Sequence, residues 1–235
     1  MTFIAEKIRE TAKVLQSRII IDSVAVDGIK IIPCGYKQNN TLPDESAGWV
    51  DYHGEELTAP KDSHWWVKFS VDVPAAAEKR GYRLYARTGK SGWDALNPQG
   101  TLFLDGVESA VQAFDVNHLY ANMTEGHHDV AVYLYNGMNA DSRFAISFTL
   151  EQIDLDTEGL WYDITVPFEA SKCLPKDSME YNQIMNVLNR ATMLLDLRRR
   201  DSAEYYESVA ATRKFMMDEF YNKICGNNKG VVAML

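Results

Sequence analysis

In the stretch HWWVKFSVDVP, residues 64–74, large apolar side chains alternate with polar ones. Trp65, Val67, Phe69, Val71 and Val73 share one face of an extended chain, and Trp66, Lys68, Ser70 and Asp72 share the other. Pro74, which has no N–H to give to a ladder, ends the run. Burying Lys68 and Asp72 without partners would be costly, so the Trp65 face is expected to point into a core. Trp66 then lies on the outer face beside the charges. There it is a candidate to contact a sugar or a neighbouring domain, or to be covered by helices from elsewhere in the chain.

The same texture extends on both sides of this strand. YRLYARTG (82–89), TLFLDGVES (101–109), DVAVYLYNG (129–137) and RFAISFTLEQI (143–153) each read as a strand, with turn residues between them. Asp105-Gly106 is a strong turn signal, and so is Asp27-Gly28 inside the β-branched run RIIIDSVAVDGIKIIPC (18–34). GYKQNNTLPDESAGW (35–49) is rich in turn formers. Several short strands at this spacing predict an antiparallel β-sandwich of jelly-roll type.

Helical periodicity flanks the β region. Ile4, Ile8, Ala12 and Leu15 line one face of a helix over residues 2–18. After about Ile153 the period becomes helical again. Leu160, Ile164 and Phe168 are spaced by four, with Pro167 expected to kink or shorten the helix. Asp177 with Glu180, and Asp201 with Glu204, have capping-box-like spacing. They open runs carrying Tyr181, Ile184, Leu188, Ala191 and Leu195, then Val209, Met216, Phe220 and Ile224, with Gly226 as a helix stop. The expected fold is α+β and mainly β: a sandwich with an N-terminal helix and a C-terminal helical segment. Its expected boundaries are 1–47 for the helix and leading strands, 48–153 for the sandwich, 154–228 for the helices, and 229–235 for a new strand.

The 235 residues are 46% hydrophobic and 24% charged, ordinary values for a globular protein. No apolar run approaches the roughly 18 residues of a membrane span, and the N-terminus has no continuous apolar segment of the secretory type. Cys34, Cys173 and Cys225 are widely spaced, which fits a reducing cytoplasm better than a disulfide framework. From Lys176 onward nine basic side chains face eight acidic ones, so residues 1–175 carry −10 of a net charge of −9. That sign speaks against nucleic acid. The basic cluster Arg198, Arg199 and Arg200 reads as a solvated helix end.

Catalytic signatures are sparse. His53, His64, His118, His127 and His128 show no metal-ligand spacing, and EGHHD (125–129) reads as a hairpin loop with exposed imidazoles. RTGKSGW (87–93) lacks the spacing of a phosphate loop. Aromatics are the remaining lead. Trp49, Trp65, Trp66, Trp93, Tyr82, Tyr85, Tyr133 and Tyr135 all lie in the β region, where large rings serve cores, interfaces and sugar-stacking surfaces alike. Trp66, Trp93, Tyr82 and Tyr135 are the candidate contacts for an oligosaccharide or a neighbouring domain.

The order of these elements resembles the N-terminal, non-catalytic region of glycoside hydrolase family 38 α-mannosidases, of the cytosolic and bacterial type. The elements that carry it are the Trp65 to Pro74 strand, then Phe103 with Asp105-Gly106, then Asn117-His118, then amphipathic helices. The resemblance covers roughly residues 48–235. It implies a parent enzyme that hydrolyses terminal α-mannosyl residues with zinc, by a retaining mechanism. It also implies that KGVVAML (229–235) opens a catalytic domain whose zinc and nucleophile residues are not in this chain. No catalytic or metal residue of the family can be placed here. The chain by itself is then expected to be inactive and to serve domain packing or oligomerisation. Its partners would be its own catalytic domain, further copies of itself or an oligosaccharide, with no membrane. The alternative is a free-standing lectin-like sandwich.

Overall fold

The structure is a computed structural model that describes residues 2–36, 41–87, 99–108, 110–114, 119–137 and 140–225. Trp93, Asn117, His118, Gly226 and the expected strand 229–235 lie outside the described residues. The chain divides into two compact units, one of residues 1–21 with 154–235 and one of residues 22–153. The N-terminal helix belongs with the C-terminal helices because it shares a core with them.

The β unit is an antiparallel sandwich. Its strands are β1 (Ile20–Ala25), β2 (Lys30–Cys34), β3 (Val50–Asp51), β4 (Leu57–Ala59), β5 (Ser63–Val73), β6 (Arg80–Arg87), β7 (Gln99–Leu104), β8 (Gln112–Phe114), β9 (Tyr120–Met123), β10 (Gly126–Asn136), β11 (Ser142–Phe144) and β12 (Ser147–Asp154). One sheet has six strands in the order β3-β2-β5-β10-β7-β8, the other four in the order β1-β12-β6-β9, and β11 pairs with β4 in a small third sheet. Neighbours far apart in sequence, such as β5 between β2 and β10, give the crossovers of a jelly-roll-type sandwich. The Asp27-Gly28 turn therefore makes no hairpin: it carries the chain from the four-stranded sheet to the six-stranded one.

Between the sheets lies the larger core. Trp65, Val67, Phe69 and Val73 of β5 enter it together with Val130, Val132 and Leu134 of β10. Leu84, Ala86, Phe148 and Leu150 come from the opposing sheet. The Phe69 and Phe148 rings meet at 4.6 Å between centroids. The alternation in residues 64–74 thus sets the face of β5 as expected, with Lys68 on the outside.

The helical unit holds α1 (Thr2–Ile19), α2 (Leu155–Ser171), α3 (Met179–Leu194) and α4 (Ala203–Met216), the last running into a π-helical turn, Met217–Tyr221. Ile8, Leu15, Leu160, Ile164, Leu188 and Val209 are buried together. Asp154 caps α2, its carboxylate accepting the Thr157 N–H at 2.6 Å. Pro167 does not end α2, which runs on to Ser171 with Pro167 buried. The caps of α3 and α4 are Ser178 and Ser202, each accepting from a backbone N–H at 3.1 Å, and not Asp177 and Asp201. Each serine lies one residue inside the acid and accepts from the N–H three residues on, that of Tyr181 or Tyr205, and Asp201 before Ser202 is left in a left-handed conformation. On the helices Met216 and Phe220 are buried, whereas Met193, Leu194 and Met217 are exposed. No helix among the described residues is long and apolar enough to cross a membrane.

One glycine allows a close approach between two helices. Arg213 of α4 lies across Gly159 of α2, where a Cβ would come 2.7 Å from the guanidinium. That guanidinium donates to Asp156 at 3.2 Å and to Asp163 at 3.3 Å, and the Tyr221 hydroxyl donates to Asp163 at 2.9 Å. Burial and this carboxylate hold the Tyr221 hydroxyl up to about 12.

Candidate functional site

The outer face of the six-stranded sheet is built in rows by the strand registers. His64 stands opposite Cys34 on one side and Tyr135 on the other, and Tyr135 stands opposite Gln99. One step along, Trp66 lies between Ile32 and Tyr133, and Tyr133 faces Thr101. A third row holds Lys30, Lys68, Ala131 and Phe103. Two strand patterns, each legible alone, thereby become one surface that is aromatic at one end and charged at the other.

At the aromatic end His64 is the centre of a stack. Its ring lies 4.9 Å from Tyr135 and 5.6 Å from Tyr133, at interplanar angles of 29° and 22°. Tyr36 meets it edge-on at 6.0 Å and is itself 71% exposed. The Tyr133 hydroxyl and His64 Nδ1 share a hydrogen bond of 2.7 Å, and Nε2 points toward Asp62 at 3.8 Å. These rings, with Asp62 and Gln99, line a cleft of about 500 Å³. Partial burial raises the Tyr135 hydroxyl above its ordinary value, and the Asp62 carboxylate beside it adds to the effect. Tyr135 therefore stays a neutral donor and acceptor through the physiological range.

The expected aromatic contacts among the described residues, Trp66, Tyr82 and Tyr135, do not gather in this cleft. Of these, Tyr135 lines the cleft. Tyr82 lies on the other sheet, packed against the sandwich core, and its hydroxyl accepts from the Gln152 amide at 2.9 Å. Trp66 must be corrected. It is on the outer face as the alternation requires, but it is 0% exposed. Phe103 and Tyr133 lie at 5.7 and 5.1 Å from it, and Leu42, Trp49 and Val107 pack on the same cluster. Loops of the β unit itself supply its cover, so it cannot stack on a ligand as placed. Tyr36 and His64 were missed as site residues. The place of His64 on the Trp66 face was readable from the alternation, whereas the loop position of Tyr36 carried no periodic signal.

EGHHD also needs correcting, because β10 begins at Gly126 and both histidines are strand residues. His127 is exposed and bonds Asp72 at 2.7 Å. His128 is buried, its Nδ1 2.8 Å from Asp105 Oδ2, while Asp105 Oδ1 accepts the Asp129 N–H at 2.9 Å. Hydrogen bonding to these carboxylates raises both imidazoles above their ordinary value, and the His128 bond lowers Asp105. The pair anchors the turn at Asp105-Gly106, where both residues have positive φ, 56° and 139°. Among the described residues no group of three or more His, Cys, Asp or Glu is placed to hold a metal ion.

No family model matches the chain, and no curated protein matches it. Among solved structures, the carbohydrate-binding module TmCBM61, in complex with β-1,4-galactotriose, aligns with 59% of this chain and 91% of its own, at 9% identity and a TM-score of 0.23. The isomalto-dextranase of Arthrobacter globiformis T6, complexed with panose, aligns with 54% of this chain and 23% of its own, at 14% identity and a TM-score of 0.21. Likeness at this level carries no argument about what this chain binds or does.

Proposed function

We propose that the β-sandwich binds an oligosaccharide in the cleft at the aromatic end of its six-stranded sheet. The observation that supports this is the set of Tyr36, His64, Tyr133 and Tyr135 around an open cleft of about 500 Å³ with Asp62 and Gln99 at its edge. Sugar rings present C–H faces that pack on aromatic rings, and hydroxyl edges that pair with carboxylate, amide and phenol groups. The volume lies in the range of small-ligand clefts. Calorimetry with α-mannotriose, β-1,4-mannotriose, β-1,4-galactotriose and panose tests the reading. At least one should bind, and Tyr135→Ala combined with Tyr36→Ala should weaken it about tenfold or more, the loss of roughly one stacked ring. No binding at millimolar sugar, or binding indifferent to both substitutions, would refute it.

The finer reading is that this unit is an accessory part of a family 38 α-mannosidase. What supports it is the order of the Trp65 to Pro74 strand, the Phe103, Asp105 and Gly106 turn and the helices after residue 154. On that reading the exposed Met193, Leu194 and Met217 would meet the catalytic domain or a second copy. On the same reading zinc would be held by the catalytic domain. Sequencing the reading frame beyond Leu235 tests this: a His/Asp zinc motif should follow within about ten residues, a short connection, and its absence would end the mannosidase reading.

A further inference from the structure

A second cleft, of about 350 Å³, opens on the same sheet face beyond the Trp66 layer. Its lining includes Lys30 and Lys68 of the third row, Glu45 from the loop before β3, and Ser70 with Asp129. Lys30 and Lys68 stand directly opposite each other on β2 and β5. Two like charges in that position repel unless an anion lies between or beside them.

The present arrangement meets only half of that demand. The Lys68 side chain is 16% exposed; its ammonium lies 4.4 Å from the centre of the Trp49 ring and donates to Glu45. Lys30 makes no ion pair among the described residues, although Asp51 stands opposite it on β3. Glu45 itself is 83% exposed. A nearly fully solvated carboxylate is thus held by a largely sequestered ammonium, with a second ammonium beside it unmet. Such a carboxylate is exchangeable, because its pair is worth little while one end is in water. An incoming carboxylate seated between the two lysines would keep the Lys68 contact and gain Lys30. Ser70, which donates to Asp129 at 2.7 Å, offers with that carboxylate a polar wall for sugar hydroxyls.

We infer that this cleft takes the carboxylate of an acidic saccharide, a uronate unit, between Lys30 and Lys68, displacing Glu45. The inference extends the saccharide reading of the first cleft, and the two fail separately. The test is calorimetric titration of the full chain with β-1,4-trimannuronate and with neutral β-1,4-mannotriose, in wild type, Lys30→Gln and Glu45→Gln. Thermal melts confirm that each variant is folded. Lys30→Gln should weaken trimannuronate about tenfold, the loss of one charge-assisted contact, and leave mannotriose unchanged. Glu45→Gln should tighten trimannuronate several-fold, because the competing internal carboxylate is gone. Trimannuronate binding that ignores both substitutions overturns the inference and leaves the neutral cleft standing. A Glu45→Gln gain shared equally by mannotriose also overturns it. Lys30-dependent binding of trimannuronate with no neutral sugar bound supports this cleft and counts against the aromatic one. Failure of both sugars to bind overturns the inference.

Discussion

Trp66 offers the sharpest test of how the sheet face is organised. If it is an internal wedge, Trp66→Ala removes a fully buried indole from between Phe103 and Tyr133. Large-to-small changes of this kind cost about 3–5 kcal/mol. For a unit the size of residues 22–153, each kcal/mol is worth about 3–4 °C in Tm, so the melt should fall by about 10–20 °C. Trp66→Phe should behave quite differently. The indole Nε1 is buried with no hydrogen-bond partner among the described residues, and removing that donor regains about 1–3 kcal/mol. The smaller ring forfeits about the same amount in buried area and packing. The net change should be within about 1 kcal/mol, or about 4 °C in Tm. Both variants are read by circular dichroism melts and by sugar titration. Alanine should lower stability and disturb both clefts, and phenylalanine should spare both. A Trp66→Ala protein that melts with the wild type would refute the wedge. So would a stable Trp66→Phe protein that has lost sugar binding, because it would make Trp66 a ligand contact.

Two further perturbations probe the electrostatics of the sandwich. Arg83 and Glu151 form a buried pair at 2.8 Å, with the Arg83 guanidinium 4.5 Å from the centre of the Tyr120 ring. Arg83→Met should cost about 3 kcal/mol by leaving the buried Glu151 charge with only the Arg87 guanidinium, 4.0 Å away, and adding Glu151→Leu should recover much of it; urea melts showing equal stability for single and double variants would contradict this. The His128–Asp105 pair should make stability depend on pH from both sides. The raised imidazole contributes fully below its ordinary value, about 6.5, and loses its contribution as pH rises through the raised value. The lowered Asp105 contributes fully above its ordinary value, about 3.9, and loses its contribution as pH falls through the lowered one. Stability difference curves between wild type and His128→Gln should therefore peak on the mildly acidic side and shrink above neutrality; a flat difference across that range would remove the pair from the account.

How much could be read in advance differs between the strands and the site. HWWVKFSVDVP gave its inward and outward faces correctly, because a period of two allows no intermediate orientation and two buried charges would not repay a flip. The helix faces through Leu160, Leu188 and Val209 were legible for the parallel reason, a period near 3.6 with apolar residues on one side. Pro167 misled, because proline's penalty inside a helix is local and the buried contacts around it outweigh it. EGHHD misled because polar composition suggested a loop, whereas Asp72 and Asp105 from other segments supply the partners that let two histidines stand in a strand. The candidate site was legible only in parts: Tyr135 and Tyr133 on one strand, His64 on another.

Alternation along the chain, the helical periods and the turn residues at Asp105-Gly106 were determined by the sequence itself, since each rests on sterics and burial within a few residues. Which strands became neighbours was decided only in three dimensions. Nothing near residue 64 says that it will face residue 135, or that β2 will bring Lys30 against Lys68, because register between distant strands comes from the fit of whole faces in the core. The same holds for Trp66. Its direction was local, but its burial depends on a loop some twenty residues earlier and a turn some forty residues later folding over one face. The pairing of β5 with β10 therefore set one surface with an aromatic cleft on one side of a buried tryptophan and a lysine-lined cleft on the other.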